Sequence, residues 1–337
     1  MAKRVLLTGA TGFVGANLVR RLLADGHTVH ALVQPGATPW RLRSIRARIR
    51  AHEASLEDRA AVEAVVRRTR PHWVFHLAAY GAYSWQTDLD RMVRTNVLGT
   101  MHLVRACVAA GFEAFVNTGS SSEYGLKDRP PSEREWLEPN SHYAVTKASA
   151  TLFCRHTALG ERVHLPTLRL YSVYGPWEEP GRLMPALVLH GIERKLPPLV
   201  APDVARDYVY VDDVCDAFVL AATRPRQELG AVYNVGSGTQ TTLAQVVDVA
   251  RRLMAIDAEP VWGSMPNRRW DTTAWVADNR AIRAALGWEP RRDVEDGLRR
   301  MVAWLARRPA LVRWYRAAKR TGHAAAASAA PRRAKAR

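Results

Sequence analysis

Three glycines, Gly9, Gly12 and Gly15, follow the apolar run Val5-Leu6-Leu7 in the stretch LLTGATGFVGANL, and no other feature of the chain restricts its fold so strongly. A strand that ends in a glycine-rich turn and continues as a helix aims backbone N–H groups and the positive end of the helix at one point. That arrangement holds a phosphate. The GxxGxxG spacing differs from the GxGxxG of the common dinucleotide fingerprint, so the turn by itself leaves open a tight turn with no ligand.

The first half of the chain alternates short apolar runs with helical patterns. RVLLTG reads as a strand, ANLVRRLLADG as a helix ending at Gly26, and TVHALV as a second strand. A helix around residues 57–69, a strand in HWVFHLAA, a long helix over Leu89–Ala110 and a strand in AFVNTGS follow, and ERVHLPTLRLYSVYG continues the pattern. Strands separated by helices imply parallel pairing. The expected fold is α/β, a Rossmann-type doubly wound parallel sheet with a smaller C-terminal α/β substrate lobe. Beyond residue 171 prolines cluster and apolar runs shorten. The division expected is a dinucleotide-binding domain over 1–170, to which 204–238 returns, a discontinuous lobe over 171–310, and a basic, disordered tail over 318–337.

The formal charge of +17 suggests nucleic acid until it is located. From Gly297 onward there is no Asp or Glu but twelve Arg and Lys, which leaves +5 for the other 296 residues. The basicity belongs to the C-terminal end, and no nucleic-acid-binding signature accompanies it. Two roles for the tail stay open, a solubilising one and weak association with an anionic membrane surface, with Arg313-Trp314-Tyr315-Arg316 as an interfacial helix. No apolar run reaches the roughly 18 residues of a membrane span, and no cleavable signal precedes the glycine turn. Cys107, Cys154 and Cys215 are widely spaced, which fits a reducing cytoplasm and gives no metal site.

Several motifs in order, TGATGFVG, HLAA at 76–79, Asn96 in RTNVLGT and YAVTK at 143–147, make the chain resemble the extended short-chain dehydrogenase/reductases. The nearest group is the NAD-dependent epimerase/dehydratase enzymes that act on nucleotide sugars, and the resemblance covers roughly residues 3–300. It implies a cofactor site of Gly9, Thr11, Gly12, Phe13, Val14, Gly15, Gln34, Arg41, Ser55, Leu56, Leu77, Ala78, Ala79 and Asn96, together with Tyr143 and Lys147. Val33 and Gln34 stand where NAD-preferring members carry an acid, and Arg41 and Arg43 follow. NAD or NADP is therefore expected, with a lean to NADP through a 2′-phosphate on Arg41 or Arg43; the other reading of these arginines is solvated helix charge.

Tyr143 and Lys147 lie four apart in a helical stretch and share a face. A free phenol titrates near 10 and is a poor base at neutral pH; a neighbouring ammonium would lower that value. Tyr143 then removes a sugar hydroxyl proton as a hydride leaves the same carbon. In NTGSSSEYG the hydrogen-bonding serine is Ser120 by one register and Ser121 by the other. Glu123 is either a catalytic acid for water loss or structural. For the substrate the resemblance implies Ser172 (in place of an asparagine) and Arg206 on the nucleotide's phosphates. Arg268 and Arg269 are similar phosphate candidates, with surface charge as the other reading of each arginine, and Trp85 either lines the sugar pocket or is buried aromatic packing.

The function expected is an NAD(P)-dependent nucleotide-diphosphate-sugar epimerase/dehydratase, with homodimers implied by the resemblance. A reductase of a nucleotide-linked 4-keto-6-deoxy sugar shares the same residues. A non-catalytic cofactor-binding regulator is the rival of another class, and it gives no reason for serine, tyrosine and lysine to be intact together.

Overall fold

The structure, a computed structural model, describes residues 1–37, 39–224, 228–267 and 272–320. Seven parallel strands form the main sheet: β1 (Arg4–Thr8), β2 (Thr28–Val33), β3 (Arg50–Glu53), β4 (Trp73–His76), β5 (Ala114–Ser120), β6 (Thr167–Leu170) and, after three short strands, β10 (Val232–Val235). Their spatial order is β10-β6-β5-β4-β1-β2-β3, and the expected doubly wound α/β fold is what forms. Alternation along β1 explains the layering, because successive side chains point to opposite faces. Val5 and Leu7 bury with helices α1 (Phe13–Ala24) and α7 (Val211–Thr223). Leu6 buries on the other face with α2 (Arg59–Thr69), α4 (Gly99–Ala110) and α5 (His142–Gly160). Both faces are covered, so the strands read as nearly continuous apolar runs.

The helix expected over Leu89–Ala110 runs as α3 (Leu89–Met92), a π-helical turn over Val93–Leu98 that contains Asn96, and α4. Such π-turns recur at functional sites. The order of strands reverses between β1 and β4, so the crevice at their carboxyl ends is the natural ligand site.

The second lobe is built from β7 (Ser172–Tyr174) paired with β9 (Tyr208–Tyr210), and β8 (Ala205–Arg206) paired with β11 (Thr241–Thr242). Helices α6 (Leu183–Gly191), α8 (Leu243–Met254), α10 (Val294–Ala306) and α11 (Pro309–Arg320) close its core. The chain returns to the first layer with α7 and β10, and once more with α9 (Arg280–Leu286), where Ile282, Leu286 and Trp288 join the core of β1 and α1.

Among the described residues no helix is long and apolar enough to cross a membrane. Within α11 the apolar side faces the protein. Tyr315 is buried and donates to the Glu178 carbonyl at 2.9 Å, Leu311 and Val312 pack on the lobe core, and Trp314 lies 4.2 Å from the Trp40 ring. Of the residues expected to form an interfacial helix, Tyr315 is buried in the lobe, while Trp314 lies against Trp40 and stays 37% exposed. Residues 321–337 lie outside the described residues.

Candidate active site

The glycine turn is shaped by close approach. Gly9 sits at φ +72°, and a Cβ there would come within 2.5 Å of the Leu77 carbonyl carbon and 2.6 Å of the Ala78 nitrogen. A Cβ on Gly15 would come within 2.1 Å of the Gly9 carbonyl oxygen, so α1 sits directly on the turn. Gly12 caps α1 with no side-chain bond and no acid occupies the first turn. The helix end thus offers unblocked N–H groups and an uncompensated positive dipole. Phe13 and Val14 open the helix and pack on the core below. These residues fit a dinucleotide pyrophosphate.

Beside the turn, a hydrogen-bond chain fixes the loop after β4. The Ala78 N–H donates to Thr8 Oγ1 (3.2 Å), Thr8 Oγ1 meets His76 Nδ1 (2.7 Å), His76 Nε2 meets Thr100 Oγ1 (2.8 Å), and Thr100 donates to the Asn96 carbonyl (2.6 Å). Read in one direction, the chain assigns His76 the neutral tautomer with its proton on Nε2. Burial, with the Lys147 charge adding to it, pulls the His76 pKa down to about 3, in accord with a neutral ring. Asn96 was expected among the cofactor contacts. It is instead buried and spent on the protein: Nδ2 donates to the Tyr80 carbonyl and to Thr146 Oγ1, and Oδ1 accepts the Tyr80 N–H. Thr146 in turn donates to the Tyr143 carbonyl. Asn96 therefore ties the Leu77-Ala78-Ala79 loop to the helix that carries Tyr143.

Arg41 departs from the reading that gave it a 2′-phosphate. Its side chain is buried; Nε donates to the Trp177 carbonyl at 2.6 Å, one terminal nitrogen to the Thr11 carbonyl at 3.3 Å and the other to Glu179 at 2.9 Å. A fork already spent on three acceptors braces the glycine turn from behind, so Arg41 is taken from the 2′-phosphate reading, while Arg43 stands exposed on the same 3-10 turn. Gln34 follows β2 in a turn closed by Ala37, and Ser55 Oγ accepts the Glu57 N–H. Leu56 is buried against the π-turn, where a Cβ on Gly99 would approach it to 2.8 Å.

The chemistry-bearing residues converge at the end of β5. Ser120 ends the strand and its Oγ accepts the Ser122 N–H at 3.2 Å, which leaves its own proton for donation, and it stands near enough to the Tyr143 phenol to draw its pKa down. Ser121 turns instead into a neighbouring cleft with Tyr124 and Tyr171. Tyr143 and Lys147 rise from the first turns of α5, which Ser141 caps through the Ala144 N–H. Burial pushes the Tyr143 phenol up to about 12, against the pull of Ser120, and burial lowers the Lys147 ammonium although Glu123 and Cys154 oppose it. Glu123 is fully buried. Its Oε1 accepts from the Ser120 N–H and from Thr151, and Oε2 accepts from Arg169 Nε at 2.8 Å. A Cβ on Gly119 would stand 2.8 Å from that carboxylate. Of the two sequence readings of Glu123, the structural one fits: it is a buried strut under the serine turn.

On the facing lobe, Arg206 donates to its neighbour's carbonyl at 2.7 Å and sits 5.8 Å from the Trp275 ring. The Ser172 N–H donates to the Asp207 carbonyl. Asp207 itself was missed from sequence. Fully buried, it accepts the N–H groups of Ser237, Gly238 and Ala277 and the Ser237 hydroxyl, and so knots the lobe's loops beneath Arg206. The acidic residue in RDY was its only signal. Trp85 stacks on Tyr83 at 4.5 Å, in a loop near enough for Tyr83 to bear on Tyr143. Arg268 and Arg269 lie outside the described residues.

The NAD dependent epimerase/dehydratase family model matches residues 5–236. The chain belongs to that family. It is 30% identical to dTDP-glucose 4,6-dehydratase of Streptomyces griseus, over 90% of this chain and 94% of the relative. It is 31% identical to UDP-glucose 4-epimerase of Mycolicibacterium smegmatis, over 89% and 97%. Among solved structures, the UDP-glucose 4-epimerase of Thermus thermophilus in complex with NAD superposes with a TM-score of 0.78 at 27% identity, covering 89% of this chain and 98% of that one. A dehydratase and an epimerase stand equally near this family member, so similarity leaves the reaction to be argued from the site.

Proposed function

We propose that this protein is an NAD-dependent epimerase of a nucleotide-diphosphate hexose, inverting a ring carbon without loss of water. The observation that carries the reading is the burial of Glu123 under the serine turn, where the Ser120 N–H, Thr151 and Arg169 hold it, while Ser120 stands near the Tyr143 phenol with Lys147 one helical turn on. Elimination needs an acid that reaches the sugar; the carboxylate nearest the serines is fully buried and already accepts from three protein donors. Gly9, Gly12 and Gly15 with the N-terminus of α1 hold the cofactor, and Arg206 serves the diphosphate. When bound, NAD supplies the hydride acceptor and, in its oxidised form, a positive charge near the phenol.

Tyr143 with its pKa at about 12 is protonated at neutral pH, so it becomes a base only as the site fills. The Lys147 ammonium, buried one helical turn away, favours the phenolate, and Ser120 donates its free proton to the reacting sugar oxygen. Tyr143 takes the hydroxyl proton as the carbon is oxidised and returns it when the carbonyl is reduced from the other face. Val145, Leu152 and Leu159, seven apart on α5, are 47%, 59% and 50% exposed beside Leu98 at 41%. This strip supports a homodimer through α5. Cys107, Cys154 and Cys215 are buried and unpaired, which supports a cytoplasmic setting.

The test is mass spectrometry of the protein with NAD and a panel of nucleotide hexoses. Interconversion at constant mass is expected, and loss of one water would replace the epimerase reading by a dehydratase. Tyr143→Phe is expected to keep NAD affinity and lose about 10²–10⁴ in turnover.

A further inference from the structure

Next to the Ser120–Tyr143 pair lies a cleft of about 20 Å³, lined by Ser121, Tyr124, Lys127, Arg129, Tyr171 and Trp275 among others. That is room for about one water-sized group. Its position follows from the sheet. Ser120 and Leu170 are register partners at the ends of β5 and β6, so the next residues, Ser121 and Tyr171, are both at the carboxyl edge, one strand along from the phenol of Tyr143. The far wall is Trp275, with its ring 6.5 Å from Tyr171 and 5.8 Å from the Arg206 guanidinium. A sugar that reaches from Arg206 to Tyr143 passes over this cleft.

Most polar groups at the back of the cleft are accounted for. The Tyr124 hydroxyl donates to Asn234 Oδ1 at 2.8 Å and accepts from Arg169 at 2.8 Å. Lys127 pairs with Glu138 and Arg129 with Glu135. Tyr171 is the exception. The residue is 7% exposed and its hydroxyl has no hydrogen-bond partner among the described residues. An unsatisfied buried hydroxyl costs about 1–3 kcal/mol, so its retention where phenylalanine would pack as well calls for a ligand. Burial, reinforced by Tyr124, Asp207 and Glu133 and opposed by Arg169, pushes its pKa far up. The phenol stays protonated in surroundings that disfavour an anion, and the partner it suits is a neutral oxygen.

We propose that Tyr171, with Ser121 across the cleft, is a specificity residue that hydrogen-bonds one neutral hydroxyl of the sugar ring, remote from the hydroxyl that Tyr143 deprotonates. This rests on the nucleotide-sugar reading given above. Because the phenol oxygen has no protein partner, removing it leaves the fold intact and the preference changed.

The experiment compares wild type and Tyr171→Phe on the nucleotide hexose that the wild type turns over and on its monodeoxy analogues, with thermal midpoints measured alongside. The expected result is a five- to tenfold lower kcat/KM on the parent sugar, carried mainly by KM, the size of one neutral hydrogen bond. On one deoxy analogue the wild type should fall to the level of the variant, and the substitution should have no further effect. The thermal midpoint should be unchanged or higher. An active wild type with an unaltered Tyr171→Phe, an equal penalty on every analogue, or a lower midpoint that accounts for the loss would each overturn the inference alone. A wild type inactive on all nucleotide sugars would overturn the functional reading and this inference with it.

Discussion

Glu123 shows how one side chain separates two chemistries. A carboxylate three residues from the active-site serine reads as an acid for elimination; its contacts make it a member of the chain Glu123–Arg169–Tyr124–Asn234. Replacing Glu123 with glutamine leaves the Arg169 guanidinium buried without its counter-charge, and breaking such a pair costs about 3–5 kcal/mol. The expected outcome is a marked drop in the thermal midpoint, with turnover per folded molecule at 20 °C within a few-fold of wild type. Loss of turnover at an unchanged midpoint would restore the catalytic reading. The sequence could not settle this, since Arg169 is 46 residues away and reaches Glu123 only because β5 and β6 pair in one register. Arg41 was misread for the same reason: its partners Trp177 and Glu179 lie 136 and 138 residues on. By contrast Tyr143 and Lys147 were legible at once, because a helix sets their relation within four residues.

At the scale of elements, what mattered was written locally and could be read. The strand–turn–helix of β1 and α1 follows from an apolar run, three glycines and an amphipathic stretch, and the alternation of strands and helices set the parallel sheet. The π-turn inside the long helix left no mark in periodicity, and neither did the edge strand β3, whose residues Arg50–Glu53 carry no apolar alternation. The turn also yields a sharp expectation. In Gly15→Ala a methyl would stand 2.1 Å from the Gly9 carbonyl oxygen, so either α1 or the turn must shift. NAD affinity measured by calorimetry is expected to weaken at least about tenfold, equivalent to ~1.4 kcal/mol. Unchanged affinity would mean that the cofactor does not lie on this turn.

For the whole molecule, the apolar strip of Val145, Leu152 and Leu159 is the surface that a second copy would cover, and it lies on the same helix as Tyr143 and Lys147. Sedimentation is expected to show a dimer for the parent chain and a monomer for Leu152→Glu; a parent monomer, or an association state unaltered by the substitution, would remove this interface. The basic C-terminus, which suggested nucleic acid or membrane from charge alone, lies partly in α11, where Arg316 pairs with Glu193 and Tyr315 is locked onto Glu178.

The returns of the chain to its first layer carry a consequence for how that layer is closed. The core around β1 and α1 is completed by β10 and by Ile282, Leu286 and Trp288, and the Trp288 indole donates to the Asp213 carbonyl at 2.8 Å. The apolar surface behind the glycine turn is thus covered in part by residues far along the sequence from it. The layer that carries the glycine turn is therefore not closed by the first half of the sequence alone; its core is shared with segments that follow the second lobe.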